Sequence, residues 1–187
     1  MSVRLPFLTS TNFTGLVNDR FWQNTLPIPA TNPLSNGQLV PDVELLWVQE
    51  QKSLRLSSIW TQQPVILALT RIFTEHQYCP LCFPHIQALN AAYEDFQGKG
   101  VEVLLVTSTD PVQSQTIAQD LDLKLPLLSD PTCKAFRLYQ TGQALGAPLP
   151  AQFLIDKEGK LRYKHLFSFL DDNASVDRLK AEVATLA

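Results

Sequence analysis

Cys79 and Cys82 stand three residues apart in the stretch YCPLCFPH, with Pro80 and Leu81 between them and His85 three residues further on. Two sulfurs at this spacing can close a disulfide on each other, ligate a metal, or sit inert as small apolar residues. Position favours the first. The pair falls where the apolar run PVILALTRIF has ended and where Ile86, Leu89, Tyr93 and Phe96 begin to recur at helical spacing. The first N–H groups of a helix lack partners, and the helix dipole is positive there, so a thiolate is favoured over a thiol. Such placement lowers a cysteine pKa from ~8.5 into the ~3.5–7.5 range. One sulfur can then attack a disulfide or a peroxide at neutral pH, and the other lies within reach to displace the adduct. Pro80 stiffens the loop between them by fixing φ and removing a donor.

A zinc clip is the serious rival, since Cys79, Cys82 and His85 with Cys133 or His76 amount to four ligands. Against it, no second Cys-x-x-Cys and no His-x-x-x-His occurs, and the fourth ligand must come from far along the chain. Haem attachment is excluded, because it needs His directly after the second Cys and Phe83 stands there.

The elements that must position the pair can be read around it. VILAL inside the apolar run is expected to be a central strand covered on both faces. Before it, DVELLWV and KSLRLSS form a hairpin across QEQ. TEHQY is a polar loop leading to the cysteines, and the helix after them ends at Gly98. VEVLLV is the next buried strand, followed by Asp110 as N-cap and Pro111 opening a helix. The device repeats at LPLLSDP, with Asp130 as N-cap and Pro131 opening the helix that holds Cys133, Phe136 and Tyr139. AQFLID and KLRYKHLF make a hairpin, and Val176, Leu179, Val183 and Leu186 mark a closing helix. The order from Val65 is βαβαβαββα, an α/β chain with a central mixed sheet covered by helices.

Residues 1–40 read as a separate arm, and 41–187 as the domain proper. Phe13, Leu16, Val17 and Phe21 fit one face of a short amphipathic helix, and the three prolines of LPIPATNPL impose an extended course after it. Such an arm packs on its own domain or on a twin subunit, as in a homodimer, unless it is reserved for a foreign partner.

With 45% hydrophobic and 18% charged residues the chain has the balance of a globular domain. A net charge of -3, with 15 scattered Lys and Arg, leaves no footprint for nucleic acid or an anionic membrane. The VILAL run is too short to cross a bilayer. MSVRLPFLTSTNF lacks the continuous apolar core of a secretory signal, so a cytoplasmic location is expected. In that reducing compartment three cysteines are not a disulfide framework, and a close pair means redox or metal chemistry.

Strand–CPLC–helix, then LLSDPTCKAFRLY, then PLPAQFLIDKEGKLRYKHLF together resemble the AhpC/TSA redoxin family, the peroxiredoxin-like branch of the thioredoxin-fold proteins. The resemblance runs from about Val40 to Ala187. It implies a thioredoxin-like fold extended by an N-terminal β-hairpin and by an inserted strand and helix. It also implies that Leu149–Pro150 is a cis peptide facing the cysteines, with the backbone before it free to pair with a bound chain. On the peroxiredoxin pattern Cys82 takes the peroxidatic position, Cys79 replaces a hydroxyl residue, and Arg71 is the nearest supporting arginine. On the thioredoxin pattern Cys79 is the attacking thiol and Cys82 the resolving one; Phe73 replaces the buried acid, leaving Glu75 as proton acceptor. Cys133 is either a small apolar residue or an alternative resolving thiol. His76 and His85 flank the pair and could steady a thiolate; His165 is assigned no role.

The expectation is therefore an antioxidant thiol oxidoreductase that cycles Cys79 and Cys82 between dithiol and disulfide to reduce peroxides or protein disulfides. It would need no bound cofactor and would be re-reduced by a thioredoxin-like donor. The competing expectation is a binding or assembly module whose Cys-x-x-Cys is structural or holds zinc.

Overall fold

The structure, a computed structural model, describes residues 10, 12–168 and 170–186. The described part of the arm begins at Ser10 and contains α1 (Asp19–Gln23). The domain proper opens with the hairpin β1 (Glu44–Trp47) and β2 (Lys52–Arg55), followed by the short α2 (Ser57–Trp60). The central strand β3 (Val65–Thr70) leads into a small hairpin of β4 (Ile72–Thr74) and β5 (Gln77–Tyr78), which delivers the chain to α3 (Cys82–Ala91) and α4 (Tyr93–Gly98). Next come β6 (Glu102–Thr107), α5 (Pro111–Asp120), β7 (Leu127–Ser129) and α6 (Lys134–Leu138). A second small hairpin, β8 (Gln143–Ala144) and β9 (Ala147–Pro148), precedes the long pair β10 (Ala151–Ile155) and β11 (Leu161–Leu166). The helix α7 (Val176–Val183) closes the chain and runs into a 3-10 turn, Ala184–Leu186.

The main sheet has the order β11-β10-β3-β6-β7-β1-β2. It is mixed: β3, β6 and β7 run parallel, while β10 and β1 flank them antiparallel. Every residue of β3 is buried, as the unbroken apolar run requires of a strand covered on both faces. Alternate residues feed two cores. Leu67, Leu69, Leu104, Val106 and Phe153 face Trp60, Phe136 and Tyr139 on one side. Ile66, Ala68, Leu105 and Leu154 face Ile86, Leu89, Phe96 and Leu179 on the other. Each large apolar side chain so buried stabilises the fold by about 1.5–3 kcal/mol, and the second core fixes α3 and hence the cysteines.

Several expectations are corrected. The arm helix does not gather Phe13, Leu16 and Val17 onto one face. Gly15 takes a positive φ of 74°, which breaks a helix there, and α1 starts only at Asp19, where the Asn18 side chain accepts from Phe21 N. Phe13 and Val17 stay exposed. The polar stretch TEHQY is a hairpin rather than a loop, its turn fastened by His76 N and Gln77 N donating to Thr74 Oγ1. The helix before Gly98 is interrupted at Ala92, which departs from helical geometry between α3 and α4. The Asp130 carboxylate accepts from Lys134 N and Ala135 N, but Asp130 is not the N-cap residue, which is Cys133, and Pro131 does not open the helix. Cys133 adopts the left-handed region, φ 54°, so α6 can begin only after it.

The described arm packs on its own domain. Ile28 bridges to Gln143, Asn24 O accepts from Gly146 N, and the Arg20 guanidinium passes beneath the β4 strand to Ile72 O, Phe73 O and Ser108 Oγ.

Candidate active site

The β4–β5 hairpin folds the chain back so that Cys79 N donates to Arg71 O at 3.3 Å, setting the first cysteine against the end of the central strand. Pro80 and Leu81 make the turn. Cys82 N and Phe83 N then both donate to Cys79 O, at 3.0 and 2.9 Å, and Cys82 is the first residue of α3. Cys79 is 5% exposed, Cys82 is sealed, and Leu81 between them is half exposed. All three cysteines are free thiols.

This arrangement separates the proton affinities of the pair. The S–H of Cys82 donates to the Cys79 sulfur, the backbone N–H groups of Cys82 and Leu81 turn toward it, and the Arg71 guanidinium adds positive charge; together they outweigh burial and lower the Cys79 pKa to about 6. Cys82 moves the other way. Its proton is held by the Cys79 sulfur, and burial and the neighbouring thiolate disfavour a second negative charge. Of the two sulfurs, Cys79 is the more readily ionised, while Cys82 is sealed and its proton is held by the Cys79 sulfur.

Arg71 lies where it was expected. Its guanidinium is anchored on Ala144 O and, at 3.3 Å, on Leu145 O, and it stacks 4.7 Å from the Phe73 ring centroid. Its Nε is buried without an acceptor among the described residues. Burial lowers the Arg71 pKa while both cysteine sulfurs raise it, so cation and thiolate support each other.

The other expected residues are placed differently. The Leu149–Pro150 peptide is trans, like every peptide among the described residues. The preceding backbone is also occupied, because β9 is paired with β8 and Leu149 N donates to Gly142 O at 3.0 Å. His85 does not serve the thiolate: it is buried, and its Nε2 lies 3.0 Å from Ala174 O, to which it donates. Burial lowers its pKa to about 4, so the ring is neutral at pH 7. Glu75 meets His76 at 3.7 Å through Oε1, and its Oε2 is buried with no hydrogen-bond partner among the described residues. Cys133 belongs to the core on the opposite side of the sheet from α3, with Asn24 Nδ2 3.8 Å from its sulfur and burial raising its pKa. A resolving role would need it to cross the sheet. No three His, Cys, Asp or Glu side chains come together in a metal-ligating arrangement among the described residues, so the four-ligand set the sequence allowed does not form.

Two residues at the site went unnoticed in the sequence. Gln152, fully buried on β10, holds Asn173, and Asn173 Nδ2 lies 3.4 Å from Leu81 O and 4.0 Å from the Cys82 sulfur. The one available signal was a polar residue inside the otherwise apolar strand AQFLI.

A mixed sheet with a pair of free cysteines at the head of a helix is the arrangement of a thioredoxin-fold dithiol protein. The chain belongs to the AhpC/TSA family, whose model matches residues 36–164. Over 85 residues it is 31% identical to a thiol-disulfide oxidoreductase ResA of Bacillus cereus, covering 45% of this chain and 46% of that one. The ResA of Geobacillus thermodenitrificans is also 31% identical, over 86 residues, with 46% and 47% covered. The chain thus spans about half the length of the curated relatives it matches. Among solved structures it is similar to the peroxidoxin BcpB of Mycobacterium tuberculosis (TM-score 0.66, 20% identity, 82% of this chain and 96% of that one). A reduced 2-Cys peroxiredoxin of Plasmodium vivax superposes with a TM-score of 0.69 at 20% identity, covering 82% of each chain. These likenesses carry the fold.

Proposed function

We propose that this protein is a thiol–disulfide oxidoreductase in which Cys79 attacks and Cys82 resolves. The carrying observation is the geometry of the pair: Cys82 is sealed as the first residue of α3, its N–H donates to Cys79 O, and its thiol serves as a donor to the Cys79 sulfur, which lowers the Cys79 pKa. The Cys79 thiolate attacks a disulfide R–S–S–R′, forming Cys79–S–S–R and expelling R′–S⁻. Cys82 then gives its proton through solvent to that thiolate and attacks the Cys79 sulfur, releasing R–S⁻ and closing the Cys79–Cys82 disulfide. Two electrons have passed from the dithiol to the substrate.

A protein disulfide is the substrate class this reading favours. The name of the matched ResA relatives supports a disulfide, and the half-exposed Leu81 beside Cys79 offers an apolar contact for a protein that carries it. A thioredoxin-like donor would return the pair to the dithiol. The same chemistry suits a reducing compartment such as the cytoplasm, where that donor pool is found.

Trapping tests the assignment. In Cys82→Ser a mixed disulfide should accumulate on Cys79 and be released by dithiothreitol; in Cys79→Ser none should form. Should hydrogen peroxide instead convert Cys82 to a sulfenate faster than any disulfide captures Cys79, the roles reverse and peroxide reduction replaces this reading.

A further inference from the structure

The second step of this cycle meets an obstacle the structure makes explicit. Cys82 must lose its proton to attack, yet it is fully buried, and burial opposes ionisation. Once Cys79 is bonded to substrate it carries no charge, so its repulsion of a Cys82 thiolate vanishes and its sulfur no longer accepts the Cys82 proton. The groups still facing Cys82 then decide how readily it ionises. From the end of β3 these are the Arg71 backbone N–H and the Arg71 guanidinium. From α3, His85 is neutral and turned to Ala174 O. From residues 171–174 comes Asn173, while the charge of Asp172 acts on His85, raising its pKa.

Asn173 is held in place unusually well for a residue between β11 and α7. Gln152, buried on the neighbouring strand, donates from Nε2 to Asn173 Oδ1 at 2.9 Å and accepts from Ala174 N at 2.8 Å. His85 ties the carbonyl of Ala174 to α3 at 3.0 Å. The Asn173 amide therefore has its oxygen committed to Gln152 and both N–H bonds turned toward the head of α3, where Leu81 O and the Cys82 sulfur lie. Because Gln152 donates through Nε2, Oδ1 must be the Asn173 atom it meets, and Nδ2 the atom left for sulfur. At 4.0 Å the N–H···S contact is long for a neutral thiol. A thiolate is the stronger acceptor and draws such a donor in.

We infer that Asn173 is a catalytic residue of the resolving step, its amide N–H donating to the charge that forms on the Cys82 sulfur, and that Gln152 is the positioning residue that fixes the orientation of that amide. The inference rests on Cys79 attacking and Cys82 resolving, and it assigns Asn173 no part in the attack by Cys79.

The probe is 5,5′-dithiobis(2-nitrobenzoate), mixed below stoichiometry with the reduced protein. The Cys79 attack releases one coloured thiolate, and resolution by Cys82 releases the second from the Cys79 adduct, so stopped-flow absorbance reads the two steps apart. Asn173→Asp is nearly isosteric and keeps an oxygen for Gln152, but puts a carboxylate where the donor was. Asn173→Ala removes the donor without adding charge. The second phase at pH 7 should slow by about tenfold in Asn173→Ala, the worth of one hydrogen bond to a charged group, and further in Asn173→Asp. Its pH dependence should move upward, while the first phase and its pH dependence stay at wild type. Gln152→Leu should slow the second phase as Asn173→Ala does. An unchanged second phase in both Asn173 variants overturns the inference, and so does equal slowing of both phases, which would mean a general disturbance of the site. If the wild-type protein never releases the second thiolate, the Cys79/Cys82 reading itself is what fails.

Discussion

The S–H of Cys82 points at the sulfur of Cys79, and this contact contributes more than any other to lowering the Cys79 pKa. The Arg71 charge acts in the same direction but is the smallest of the contributions. A ranking follows. Carbamidomethylation of Cys79 by iodoacetamide, followed by mass spectrometry across pH, should show half-maximal rate near pH 6. Cys82→Ala should move that midpoint upward by more than Arg71→Met does. An equal or larger shift in Arg71→Met would show the cation, not the neighbouring thiol, to be the main stabiliser.

The same pair sets a pH dependence of stability. Between about pH 6 and the ~8.5 of an unfolded thiol, the unfolded chain keeps a proton on Cys79 that the native protein has released. Stability therefore rises with pH through that window and is lost again as pH falls toward 6. Cys82 reverses the sign above ~8.5, because there the unfolded chain has released a proton that the native protein retains. Urea unfolding of the reduced protein, minus that of a Cys79→Ser, Cys82→Ser double variant, should trace a rise and then a fall, with its crest between about pH 8 and 9. A flat difference would mean that the thiols ionise alike in both states.

His85 gives a separate signature at lower pH. Its native pKa of about 4 lies below the ~6.5 of an unfolded histidine. From about pH 6.5 down to 4 the unfolded chain takes up a proton that the buried ring refuses. Stability is thus full above ~6.5 and declines as pH falls, by on the order of 3 kcal/mol in all. His85→Gln retains an N–H donor for Ala174 O but does not titrate. It should flatten the slope across that window and leave the Cys79 alkylation profile in place. A shift in that profile would return His85 to the thiolate role its spacing suggested.

Periodicity revealed the sheet, the order of its elements and the position of the cysteines at a helix start, because those depend on local patterns of apolar residues. The residues that support the sulfurs were less accessible. His85 sits one helical turn beyond Cys82, and spacing alone could not show that its ring turns away to Ala174 O. Asn173 lies 91 residues from Cys82; the hairpin of β10 and β11 brings it back, and no local pattern encodes that return. Asp130-Pro131 has the form of a helix opening, which puts Cys133 inside a helix, but the left-handed backbone of Cys133 delays that helix to Lys134. The family resemblance implies a cis peptide before Pro150, whereas that peptide is trans and follows the small β8–β9 hairpin.

Cys133 should be dispensable for turnover. The sheet separates it from α3, and burial keeps it protonated. Cys133→Ser should release both coloured thiolates from 5,5′-dithiobis(2-nitrobenzoate) at wild-type rates, and peptide mapping of the oxidised protein should find only the Cys79–Cys82 bond. A disulfide that includes Cys133 would mean that the protein opens locally during oxidation.

The arm is held by a backbone-to-backbone approach that a single methyl group would spoil. Gly142 has a φ of 79°, and a Cβ on it would lie 2.5 Å from Ile28 O and 2.6 Å from Ala30 N. Both are backbone atoms, and Ile28 is bridged to Gln143 through its N–H and its carbonyl. Gly142→Ala should therefore lift the arm over residues 20–31 from the domain, at a cost of roughly 1–3 kcal/mol for the overlap together with the unfavourable φ. Arg20 reports the event, since it is 9% exposed when the arm is seated. Trypsin should cleave after Arg20 slowly in the wild-type protein and much faster in Gly142→Ala, with a lower melting temperature. Wild-type cleavage kinetics in Gly142→Ala would show that the arm stays seated without this approach.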